Sequence, residues 1–158
     1  MNGSINIVVI ITLLLSSTFA VAQSATQPTK RYVNTSWRGI ALEGYDPVAY
    51  FTDSKPVEGS KKIQSTYKGA TYYFASDEHK KMFDENPAKY EPQFGGFCAY
   101  AVSQNRTADI GPEYWSIIDG KLYLQHNQKA VNLWNQDVTG HLKDADKNWP
   151  GIADKNGK

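Results

Sequence analysis

A single cysteine, Cys98, serves the whole chain of 158 residues. An internal disulfide is therefore excluded, and stability must come from packing. Charge of one sign is also lacking. Seventeen basic residues face 16 acidic ones, for a formal net charge of +1. That balance gives no electrostatic case for nucleic acid or an anionic membrane as partner. No apolar run is long enough to cross a bilayer as a stable helix. No internal repeat, low-complexity tract, nucleophile elbow, phosphate-binding loop or dinucleotide fingerprint occurs, and no carboxylate pair stands out.

What is present begins with Ile7 to Leu15, an apolar stretch followed by Ser16, Ser17 and Thr18. Ala20-Val21-Ala22 then places small residues at the two positions a signal peptidase inspects. Residues 1–22 are expected to be a secretory signal cleaved after Ala22. The segment before the apolar run has no Lys or Arg, which leaves a retained signal anchor as the alternative. No cysteine follows the cleavage site, so a lipid anchor there is excluded. Cleavage leaves about 136 residues, enough for one domain with a real core. Residues 23–40 are expected to form an N-terminal leader and residues 41–152 the domain.

Ten Tyr, six Phe and four Trp predict an aromatic core and rim. Gly44 to Phe51 predicts an Asp46-Pro47 turn entering a short apolar strand. Lys55 to Lys62 is expected to be a loop. Ile63 to Tyr67 and Ala70 to Phe74 flank Lys68-Gly69 and predict a hairpin. Ser76 stands at an N-cap position before Asp77 and Glu78, so a helix should follow, stopped by Pro87. His79, Met82 and Phe83 form its inward face. Gly95-Gly96 predicts a turn, and Phe97 to Tyr100 a short strand. Asp119-Gly120 between Trp115–Ile118 and Leu122–Leu124 predicts a second hairpin with a type I′ turn. From Asn127, apolar residues recur every three or four positions through Trp149, an amphipathic helix with a break near Gly140 and a stop near Pro150. Short antiparallel hairpins with a central capped helix and a C-terminal amphipathic helix make a small, single-domain α+β fold.

These segments resemble the YHS domain family. The resemblance rests on Gly44-Tyr-Asp-Pro-Val-Ala-Tyr-Phe51, the Tyr67 to Phe74 hairpin, the Ser76 to Phe83 helix start, Asn86-Pro-Ala-Lys-Tyr90 and Gly95-Gly-Phe-Cys98. The tail from Asp119 to Pro150 is similar to the exported, single-domain subtype. The resemblance implies a small α+β domain related to TRASH-type modules, some of which bind metal. Metal-binding members of the family carry cysteines at positions that match Ala49, Ala75 and His79 here. Two of three thiolates are therefore missing, and alanine cannot coordinate an ion.

His79, Met82 and Cys98 remain as candidate metal ligands. An imidazole, a thioether and a thiol suit Cu(I) better than zinc, provided the glycine turn brings Cys98 to the helix. The bland alternative is that His79 hydrogen-bonds, Met82 fills a gap and Cys98 packs as a small, inert hydrophobe. His126 and His141 match no ligand spacing and are expected to be exposed or hydrogen-bonded. Asn34-Thr-Ser36 and Asn105-Arg-Thr107 fit the glycosylation sequon. The sequence thus predicts an exported, periplasmic or secreted binding protein that catalyses nothing, with a metal ion, copper first, as ligand. Alternatives are a thiol-dependent enzyme or redox protein acting through Cys98, and a structural accessory subunit without metal.

Overall fold

Ring-on-ring packing joins the first hairpin to the helix that follows it. The structure, a computed structural model, describes residues 32–156, so the expected signal lies outside the described residues. Strands β1 (Ser60–Tyr67) and β2 (Ala70–Phe74) pair antiparallel, with Tyr67 opposite Ala70 and Ser65 opposite Tyr72. Lys68 and Gly69 both have positive φ, 49° and 79°, as a two-residue turn of this hand requires. The alternation of β2 sends Ala70, Tyr72 and Phe74 into the core. Helix α2 (Asp77–Glu85) then lays Phe83 against them. Its ring centroid is 4.9 Å from that of Tyr72 and 5.2 Å from that of Phe74.

Ser76 caps α2, its Oγ accepting the His79 N–H at 3.1 Å. Pro87 supplies the first residue of a further turn, α3 (Pro87–Tyr90), because a missing N–H costs nothing there. The second hairpin, β3 (Trp115–Ile118) with β4 (Lys121–Leu124), has the expected turn, Asp119 and Gly120 both lying at positive φ. Two small antiparallel sheets with helices around them give the expected α+β domain.

Three local expectations are corrected. Ala49–Thr52 is a helical turn, α1, not a strand. The Asp46 carboxylate takes the Val48 N–H at 2.8 Å and curls the chain into it. Phe97 to Tyr100 gives only one bridge, Cys98 to Leu124, before helix α4 (Ala99–Ser103) begins. A short apolar run fits a buried strand or a buried helix equally well, and here Ala99, Ala101 and Val102 are all buried. The C-terminal helix breaks before Gly140, between α5 (Gln128–Trp134) and α6 (Val138–Asn156). Asp137 restarts it by accepting the Gly140 N–H at 2.9 Å. Pro150 does not stop α6, since Trp149 and the buried Ile152 hold the helix to a second core on both sides of it.

That second core contains Phe94, Phe97, Val102, Trp134 and Ala145, with Tyr32 packed against it. The described part of the leader is therefore attached to the domain. Tyr32 stacks on Phe97 with centroids 4.8 Å apart, and the Asn34 N–H donates to Gly95 O at 2.8 Å. Gly95 makes this docking possible. A Cβ there would lie 2.3 Å from Tyr32 O, and its φ of 60° already disfavours a side chain. Among the described residues no helix is long and apolar enough to cross a membrane.

Candidate functional site

Asp46 is the most constrained polar residue of the domain, with no exposed surface. Its Oδ1 accepts the Val48 N–H, and its Oδ2 accepts the Ala75 N–H at 2.8 Å. The same Oδ2 accepts the His79 ring Nδ1–H at 2.7 Å. One buried carboxylate thus ties the start of α1, the end of β2 and the first turn of α2. The other ring nitrogen, His79 Nε2, lies 3.2 Å from Thr52 Oγ1 and 3.9 Å from Asp53 Oδ1. Buried carboxylates survive when charge-assisted hydrogen bonds replace their water, and three donors do so here.

The Ala75 N–H and the His79 ring meet on this carboxylate. Around that point the described side chains offer one imidazole nitrogen with an oxygen donor or two, and no sulfur within the cluster. That set does not fit Cu(I) or a structural zinc ion, which need several soft or imidazole donors around one point.

The three candidate ligands are not gathered. Met82 lies on the edge of the first core beside Phe83. Cys98 belongs to a separate small cluster with Ala101 and Ala130, and its Sγ donates to Gln125 Oε1 at 3.4 Å. The glycine turn brings Cys98 to β4, not to α2. Among the described residues no group of three or more His, Cys, Asp and Glu side chains is placed to hold a metal ion. His126 and His141 are hydrogen-bonded through Nδ1 to Asp109 O at 3.0 Å and Trp134 O at 3.2 Å. In the first sequon the Asn34 amide is already engaged, donating to Gly96 O at 3.2 Å.

Elsewhere, a groove of about 660 Å³ lies between residues 34–45 and the first hairpin. Trp37 stands on its lip with 87 % of its surface exposed. Arg38 lies over the indole ring, its Cζ 4.5 Å from the centroid. Tyr45 and Tyr73 form apolar wall, and Glu43, Glu58 and Asp109 bring three carboxylates. Among the described residues none of the three carboxylates is in an ion pair, although Arg38 and Lys61 line the same groove. Burial, helped by the charges of Asp109 and Glu113, raises the Glu43 pKa above the ordinary carboxyl range. Leu42 and Glu43 both hold positive φ, 52° and 55°, so local backbone strain accompanies the placement of this carboxyl. Sequence reasoning missed the groove because Trp37 fell within the expected leader, and no spacing rule links it to Tyr73 or Asp109.

Residues 48–93 match the family model of the YHS domain. The match runs from the start of α1 to just past α3, so it contains His79 and Met82 but not Asp46, Trp37, Cys98 or the C-terminal helices. No curated protein and no solved structure matches the chain.

Proposed function

The chain carries a YHS domain, and from that premise we propose that it is an exported binding module whose ligand enters the groove beneath Trp37. Export rests on the Ala20-Val21-Ala22 signal pattern. The single observation that supports the site is an open groove lined by Trp37, Tyr45 and Tyr73 together with three carboxylates that form no ion pair among the described residues. An exposed indole and carboxylates that outnumber the groove's cations are complementary to a small organic cation, through cation–π attraction and charge-assisted hydrogen bonds. The match to the YHS model suggests a metal-associated module, yet His79 and Cys98 lie in separate clusters. Binding in the groove needs none of them.

Calorimetric titration of the mature chain with spermidine and with choline tests this reading. Saturable binding that weakens with salt, and is lost in Trp37→Ala and in Glu43→Gln, is the expected result. Absence of saturable binding, or binding indifferent to both substitutions, removes the groove as the site.

A further inference from the structure

A second hollow, of about 450 Å³, adjoins the groove beneath Trp37. Asn34, Thr35 and Asp109 line both, so the two meet along these three residues. Away from them the second hollow is walled by Tyr32, Phe97 and Thr107. The rings of Tyr32 and Phe97 are stacked with centroids 4.8 Å apart, which makes one side of the hollow aromatic. The Asn34 Nδ2 donates to Gly96 O at 3.2 Å, and its carbonyl oxygen remains as an acceptor beside the hydroxyls of Thr35 and Thr107.

The two hollows differ in charge. Arg38 and Lys61 line the groove together with Glu43, Glu58 and Asp109. The second hollow has no cation in its lining, and Asp109 is its one charged residue. Asp109 forms no ion pair among the described residues. Its backbone O accepts the His126 Nδ1–H, which leaves the carboxylate to other partners. The field of Asp109 also reaches the groove: after burial, its charge is the next cause of the raised Glu43 pKa. A cation held at Asp109 would relieve that repulsion and occupy the hollow.

We propose that groove and hollow together form one elongated site for a linear aliphatic polyamine, with one ammonium beneath Trp37 and a second at Asp109. The proposal rests on the reading of the groove as a cation site, and it adds the shape and charge number of the ligand. A compact cation such as choline fills the groove alone. A linear polyamine reaches across Asn34 and Thr35 and presents a second ammonium to the one carboxylate of the hollow. Its methylene stem can lie along the Tyr32–Phe97 pair while the charged ends stay wet, as long cationic side chains do on apolar surface. Ammonium groups are donors only, and the polar lining of the hollow supplies acceptors for them.

Calorimetric titration of the full chain with choline and with spermidine, at one ionic strength, tests the two-part site. Spermidine should bind about fivefold tighter, the gain expected from one further ion pair at an exposed carboxylate. Thr107→Trp fills the second hollow without a change of charge, so it should erase that advantage and leave choline binding as it was. Asp109→Asn, a near-isosteric change at an exposed position, should weaken spermidine more than choline, and it decides should Thr107→Trp not fold. Spermidine no tighter than choline, or an advantage that survives these substitutions, overturns the two-part site while the groove beneath Trp37 stands. Failure of both ligands to bind overturns the groove and the two-part site together.

Discussion

Removing the Asp46 carboxylate should unfasten three segments at once. Asp46→Ala withdraws the acceptor from the Val48 and Ala75 N–H groups and from His79 Nδ1, all within 2.8 Å of it. A hydrogen bond to a charged group is worth about 1.5–3 kcal/mol, and a buried donor left without a partner costs about 1–3 kcal/mol. The three bonds share one carboxylate and are not additive. Two backbone N–H groups left without their acceptor, at about 2 kcal/mol each, set about 4 kcal/mol as the expected loss. That is a large share of the roughly 5–15 kcal/mol available to a domain. In urea, with a slope of about 2 kcal/mol per molar, the midpoint should fall by about 2 M with the slope unchanged. Tryptophan fluorescence and far-UV circular dichroism, followed together, test whether the transition stays two-state. Asp46→Asn should lose less, since its carbonyl still serves Val48 while its NH₂ opposes the Ala75 N–H. His79→Ala should lose less than Asp46→Ala, because it leaves both backbone bonds intact. A loss below about 1 kcal/mol in Asp46→Ala would refute the clasp.

Two other outcomes follow from the same geometry. Glu43 has a folded pKa raised above its unfolded value, so the folded state binds its proton more readily. Its contribution is fully present below the unfolded pKa and is lost as pH rises through the folded one. Glu43→Gln should therefore raise Tm at about pH 7 and leave it nearly unchanged at about pH 3, measured by calorimetry. Anaerobic Cu(I) titration should give no stoichiometric site that depends on both His79 and Cys98, because the two side chains serve separate clusters. Saturable binding abolished by either His79→Ala or Cys98→Ala would restore the copper reading.

Much of the local structure was written in the sequence. Ser76, Lys68-Gly69 and Asp119-Gly120 act within a few residues of themselves, through a cap and two turns, and the chain folds there as their chemistry dictates. The α+β class followed from those signals, and so did the resemblance to the YHS family. At the short apolar run Phe97 to Tyr100 a strand was expected, and packing against α6 decided instead for a helix from Ala99. The same limit applied to the sites. His79 and Met82 were correctly placed on one helix, since three residues make almost one turn. Whether Cys98 would join them was a question of distance across the chain, which no local rule answers. Tertiary structure sent Cys98 to Gln125 and gave His79 a buried Asp46 instead, 33 residues away in sequence. Sequence determined which donors exist and which turns form. Only the folded chain decided which donors meet, because burial and mutual approach depend on contacts between segments that do not neighbour one another.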